Sequence, residues 1–155
     1  MQLHEKLMAE YSDLKYVFDP LMPNKQKGWI NNETIYLHPE QDSTTLNNTV
    51  AEEISHYLTG TGDISRQETL EEKKQENKAR NLGATLLVTL QDIVDCYHQQ
   101  LVTYQECADF LDIPLSTLKR AVSVYANKSD GKIKYSHCTI CFRLNGTIEI
   151  FDWFK

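Results

Sequence analysis

The chain has 155 residues, 41% of them hydrophobic and 25% charged, the usage of an ordinary globular protein, which excludes disordered and fibrous classes. Its net charge of −6 is uneven: residues 1–100 balance to −7 and residues 101–155 to +1, so neither part has the concentrated basic face of a dedicated nucleic-acid binder. Apolar runs such as Leu86-Leu87-Val88 are far short of a bilayer span and no basic-then-apolar leader opens the chain, so a soluble cytoplasmic protein is expected.

In chain order, Leu3, Leu7, Met8 and Tyr11 recur at helical spacing and predict a short amphipathic helix over residues 2–13. Residues 14–18 read as a strand closed by Asp19-Pro20 and Pro23-Asn24. Residues 28–30 and 34–37 flank Asn31-Asn32-Glu33, whose side chains suit positive φ, so a hairpin and a small antiparallel sheet are expected. Asp42-Ser43 can cap the next helix, with Leu46, Val50, Ile54, Tyr57 and Leu58 as its buried stripe and Gly60 and Gly62 ending it. A second helix is predicted from about Arg66 to Leu87, packed through Ala79, Leu82, Gly83 and Leu86, with a solvated polar first half. Helices follow over 89–97 and 103–111 and, after Asp112-Ile113-Pro114, over 116–126. Beyond Asp130-Gly131, two alternating segments, 132–144 and 147–154, meet at Asn145-Gly146, a strong hairpin signal.

Chemistry concentrates in Thr49-Val50-Ala51-Glu52-Glu53-Ile54-Ser55-His56-Tyr57. On a helix, Glu52 and His56 are four apart and project from one face, as two ligands of a single metal ion must. Glu53 is one step round, placed to reach a metal-bound water. This is the layout of H-E-x-x-H with Glu52 in the position of the first histidine. A third ligand is expected from the next helix, where Glu76 precedes Ala79, Leu82, Gly83, Ala84 and Leu86; the small Gly83-Ala84 pair permits a close approach.

The run Ala51-Glu52-Glu53-Ile54-Ser55-His56-Tyr57-Leu58-Thr59, followed by Glu76-x-x-Ala79-x-x-Leu82-Gly83-Ala84-x-Leu86-Leu87, resembles the ImmA/IrrE-type metallopeptidases, and the upstream hairpin fits the small sheet such proteins place before the motif helix. The resemblance is closest to members encoded by temperate phages and integrative elements, and covers residues 10–90 well and 100–126 more loosely. It implies an α+β fold: a zincin-like helical core with a small N-terminal antiparallel sheet over residues 1–100, and a helix-turn-helix-like and β-hairpin module over 101–155. It also implies an endopeptidase of the bacterial host cytoplasm that cuts a helix-turn-helix repressor, with Glu52, His56 and Glu76 as metal ligands and Glu53 as the general base. Two carboxylates and one imidazole make a harder, more anionic site than two imidazoles and one carboxylate; it suits Mn²⁺ as well as Zn²⁺ and weakens the Lewis acid. Arg80, one turn after Glu76, is expected to orient or neutralise a carboxylate.

Other features carry less. Cys138-x-x-Cys141 lies on an alternating segment whose two sulfurs point to opposite faces, so both read as buried apolar cysteines; with Cys96 and Cys107 they form no disulfide framework. His38, His98 and His137 receive no role. Residues 104–125 fit a helix-turn-helix, with Ala108, Ile113, Leu118 and Ala121 inside, Asp112 where a glycine is usual, and Ser116, Thr117, Lys119 and Arg120 as candidate DNA or partner contacts. Two rivals to the peptidase stand: a non-catalytic antirepressor that binds and sequesters the repressor, which Glu52 in place of histidine favours, and a small DNA-binding regulator built on residues 104–125.

Overall fold

The computed structural model describes residues 1–60 and 69–152. Helix α1 (Leu3–Glu10) opens with a capping box between Gln2 and Glu5 and lays Leu7 and His4 against the rest of the chain. Strands β1 (Lys15–Phe18), β2 (Gly28–Asn31) and β3 (Thr34–Leu37) form a sheet of order β1-β3-β2. The expected hairpin is present, with Asn32 at φ +56° in its two-residue turn and Trp29 stacked on Tyr36 across the strands. The sheet is mixed, however, and not wholly antiparallel, because the connection from Phe18 to Gly28 brings the chain back so that β3 runs parallel to β1.

Helix α2 (Ser43–Thr59) starts at Asp42, whose carboxylate accepts from the Thr45 amide at 2.8 Å, and stops at Gly60, which takes φ +68°. Its buried stripe is Asn47, Val50, Ala51, Ile54 and Ser55; Tyr57, off that arc, and Leu58, in the last turn, stay exposed. Helix α3 (Leu70–Leu87) is capped by Thr69 and packs antiparallel on α2, close enough that a Cβ on Gly83 would meet the Ala51 carbonyl at 3.4 Å. Gly62, the expected helix start at Arg66 and the strand end at Phe154 lie outside the described residues. No described helix is long and apolar enough to cross a membrane.

Helices α4 (Leu90–His98), α5 (Tyr104–Leu111) and α6 (Leu115–Ala126) follow as expected. Asp112 sits in the left-handed region (φ +58°) between α5 and α6, and its side chain explains why glycine is not needed there. Its carboxylate accepts from the Thr44 hydroxyl and its carbonyl from Asn47 Nδ2 (2.9 Å), while Asn47 Oδ1 accepts from the amide and Nδ1 of buried His4. The network fastens the α5–α6 turn to α1 and α2. Asp112→Ala is expected to cost about 1–3 kcal/mol by leaving the Thr44 hydroxyl without its acceptor and Asn47 with the backbone carbonyl alone, read as a lower denaturation midpoint at unchanged slope.

The segment 132–144 is not one strand. It folds into β4 (Lys132–Tyr135) and β5 (Cys138–Phe142) about Ser136-His137, with Ser136 at φ +53°, and β6 (Ile148–Asp152) completes an antiparallel sheet after the Asn145-Gly146 loop. Ser-His lacks the Asn-Gly signature, which is why alternation alone ran the two strands together. Cys138 and Cys141 are free and buried. One apolar cluster joins Leu7, Ile35 and Ile54 from before residue 100 to Ala108, Leu118 and Ile140 from after it.

Candidate functional site

The α2–α3 pair brings the motif residues together. His56 and Glu53 are three apart on α2, and Glu76 reaches across from α3. His56 Nε2 lies 3.2 Å from Glu76 Oε2, and Nδ1 lies 3.5 Å from Glu53 Oε2, at the long limit for a hydrogen bond. All three side chains are largely buried, at 16% exposure or less. Arg80 Nε donates to Glu76 Oε1 at 3.1 Å, the orienting contact expected from its place one turn on. Glu52 does not touch His56; its Oε1 accepts from Asn48 Nδ2 at 3.2 Å, also one turn away.

The electrostatics follow from this arrangement. The carboxylates of Glu53, by hydrogen bond and charge, and of Glu76 raise the pKa of His56 above its ordinary value near 6.5, against the opposing effect of burial. Burial raises the pKa of Glu52, helped by the Glu53 charge and opposed by Arg80, His56 and Asn48. Both groups therefore hold their protons more tightly folded than unfolded. The stabilisation from His56 is complete below about pH 6.5 and is lost as pH rises through the folded value, and Glu52 acts with the same sign at lower pH. The thermal midpoint of chelator-treated protein is expected to fall as pH rises above about 6.5, with a smaller fall in His56→Gln; a midpoint independent of pH in the wild type would contradict this assignment.

A cavity of about 260 Å³ opens between α2 and the start of β2, lined by Lys27, Gly28, Asn48, Glu52, Glu53 and Pro114 among others. Gly28 is required by the close approach: a Cβ there would lie 2.7 Å from Thr49 Cγ2 and 3.4 Å from Glu53 Cγ. A larger cavity, about 460 Å³, lies between α4, α5, α6 and the β5–β6 hairpin. Apolar side chains dominate it, and burial pushes the thiol of Cys96 there up to about 12, too high for a nucleophile near neutral pH. Of these two, the smaller carries the carboxylates of Glu52 and Glu53 on its wall.

Among the described residues, no three His, Cys, Asp or Glu side chains gather as a ready-made metal shell. The donors nonetheless fit a divalent cation in kind. His56 and Glu76 present a nitrogen and an oxygen to one another across the helix pair, and Glu52 Oε2 accepts no hydrogen bond from a described residue. Cations that accept mixed imidazole and carboxylate ligands, Zn²⁺ and Mn²⁺, suit this set.

The remaining candidates are placed as follows. Thr117 Oγ1 donates to Asn48 Oδ1 at 2.6 Å and Arg120 Nη1 to Asn81 Oδ1 at 3.0 Å, so both are turned onto α2 and α3, while Ser116 and Lys119 face outward. His38 is buried and accepts from the Glu40 amide at 3.0 Å, which makes it an organiser of the β3–α2 loop. His98 and His137 are exposed, the latter beside Asp152. Sequence reasoning missed Asn48, Gly28 and Lys27. The i,i+4 spacing of Asn48 and Glu52 was the available signal for the first; the other two depend on the β2–α2 approach. Residues 3–123 match the family model described as peptidase M78, IrrE N-terminal-like domain. No curated protein matches the chain.

Proposed function

Because the chain belongs to the ImmA/IrrE-type (M78) peptidase family, we propose that it is a metal-dependent endopeptidase that relieves repression by cutting a helix-turn-helix repressor of a phage or mobile element. The observation that carries the reading is the α2–α3 contact, His56 Nε2 facing Glu76 Oε2 at 3.2 Å with Glu53 beside it. His56, Glu76 and Glu52 would hold the cation. When bound, Zn²⁺ or Mn²⁺ supplies Lewis acidity to a scissile carbonyl and to the attacking water. Glu53, on the cavity wall, takes the proton of that water on its carboxylate and passes it to the leaving amine. Strand β2 is a sheet edge that reaches the cavity at Gly28, where an extended peptide can add as a further strand.

A second reading, sequestration without cleavage, is favoured by one specific feature: Glu52 stands where the usual histidine would. Incubation of the protein with a purified helix-turn-helix repressor, with Zn²⁺ or Mn²⁺ and with chelator, separates the two. Cation-dependent fragments are the expected result. A stable complex with intact repressor under all conditions would replace the peptidase with the antirepressor.

A further inference from the structure

The carboxylate of Glu52 is held by a chain of two hydrogen bonds that begins in the C-terminal helices. Thr117, in the first turn of α6, donates its hydroxyl proton to Asn48 Oδ1 at 2.6 Å, and Asn48 Nδ2 donates to Glu52 Oε1 at 3.2 Å. The first bond decides the second. A carboxamide has one accepting and one donating end, and with Oδ1 engaged by Thr117 the NH₂ group must face Glu52. Glu52 has three rotatable side-chain bonds, and a bond to one oxygen fixes the plane in which the other is presented. That other oxygen, Oε2, accepts no hydrogen bond from a described residue, and Glu52 also borders a polar cavity of about 240 Å³ between α2, α3 and α6, whose wall includes Thr117 and Arg80.

Helix α6 is not free to shift relative to α2. Asp112, in the turn between α5 and α6, is tied to Thr44 and Asn47 on α2, and Arg120 is tied to Asn81 on α3. The donor at Thr117 is thus presented from a fixed frame. Val or Ala at 117 would remove the partner of Asn48 Oδ1, leaving the amide free to swing with the Glu52 carboxylate and no longer fixing where that carboxylate stands.

We propose that Thr117 is a positioning residue which, through Asn48, holds Glu52 ready to ligate a divalent cation, so that the α5–α6 helices complete the metal site of the α2–α3 pair. This rests on the metal-dependent reading above. Hydrogen bonds to ligating carboxylates set their orientation and basicity, and their loss typically weakens metal binding about 10–100-fold.

The test is titration of the full-length, chelator-stripped protein with Zn²⁺ and with Mn²⁺ against a chromophoric chelator. Wild type is compared with Thr117→Val, Thr117→Ser, Asn48→Ala and the Thr117→Val/Asn48→Ala double variant, and each variant's metal-free thermal midpoint is recorded. Thr117→Val and Asn48→Ala are each expected to weaken cation binding about 10–100-fold, serine to restore it, and the double variant to be no worse than Asn48→Ala alone. Serine rescue and non-additivity are results that a merely structural role for Thr117 would not give. If Thr117→Val does not fold, Asn48→Ala and the serine variant still decide. Wild-type binding with Thr117→Val or Asn48→Ala within about twofold of it would overturn the relay alone. A wild type that binds neither cation would overturn the metal-dependent reading and the relay with it.

Discussion

Glu53→Gln is expected to lower the rate of repressor cleavage by about 10²–10⁴-fold while leaving cation content at the wild-type level. The substitution keeps size and shape but removes the negative charge and turns one accepting oxygen into a donating NH₂, so the side chain can no longer take up a proton. Glu53 is well placed for that work: it is largely buried, on the wall of the cavity where β2 meets α2, and 3.4 Å from where a Cβ on Gly28 would stand. It has a competing role, since its Oε2 also faces His56 Nδ1, the position from which a carboxylate orients a metal-binding imidazole. The two roles give different results. A general base lost to glutamine costs turnover and spares metal affinity. An orienting carboxylate lost to glutamine weakens metal affinity by about 10–100-fold and lowers turnover only at limiting cation. The 3.5 Å separation makes the orienting bond weak, which favours the base. Elemental analysis beside a cleavage time course at saturating Zn²⁺ distinguishes them.

The parts of this molecule legible in the sequence are those fixed by local chemistry. Asp42 and Gly60 bracket α2 because a carboxylate and an αL-tolerant residue solve the unpaired backbone groups at helix ends, and those preferences survive any tertiary context. His56 and Glu76 meet because helical spacing put the histidine on the packed face and Gly83 let the second helix approach. What was not legible depended on partners distant in sequence. The parallel pairing of β1 with β3 is decided by the path of the connection and not by alternation. Ser136-His137 turns the chain without a recognisable turn dipeptide, supported by the ladder on either side. Asp112 occupies a glycine position because Thr44 and Asn47, more than sixty residues earlier, supply its hydrogen bonds.

The same distinction governs the α5–α6 pair. Taken alone, residues 104–125 have the spacing of a helix-turn-helix, and Ser116, Thr117, Lys119 and Arg120 read as outward contacts. In the fold, Thr117 and Arg120 are committed to Asn48 and Asn81, and the first turn of α6 lies against α2 and α3. A helix that reads a major groove must present its N-terminal side chains to the bases. Here two of the four side chains, Thr117 and Arg120, are engaged with α2 and α3, while Ser116 and Lys119 stay exposed.

His56→Ala is the variant with the largest expected effect on cation content. Wild-type protein loaded with Zn²⁺ or Mn²⁺ and passed through a desalting column should retain about one equivalent if each chain holds a single site, and His56→Ala essentially none. His56 contributes the only neutral nitrogen donor among Glu52, His56 and Glu76, and it is also what keeps the carboxylates apart when no cation is present. In the metal-free protein its imidazole stands between Glu53 and Glu76, which hold its proton. Removing it leaves Glu52, Glu53 and Glu76 with less positive charge among them, Arg80 still paired with Glu76. Relative to wild type, the metal-free variant should therefore lose thermal stability most below about pH 6.5, where the wild-type imidazole carries its proton, and the difference should shrink as pH rises through the folded value. Cation loss with that pH-dependent destabilisation is the signature of a working ligand. Retention of a full equivalent in His56→Ala would mean that the cation sits elsewhere, and the assignment of Glu52, His56 and Glu76 would fall with it.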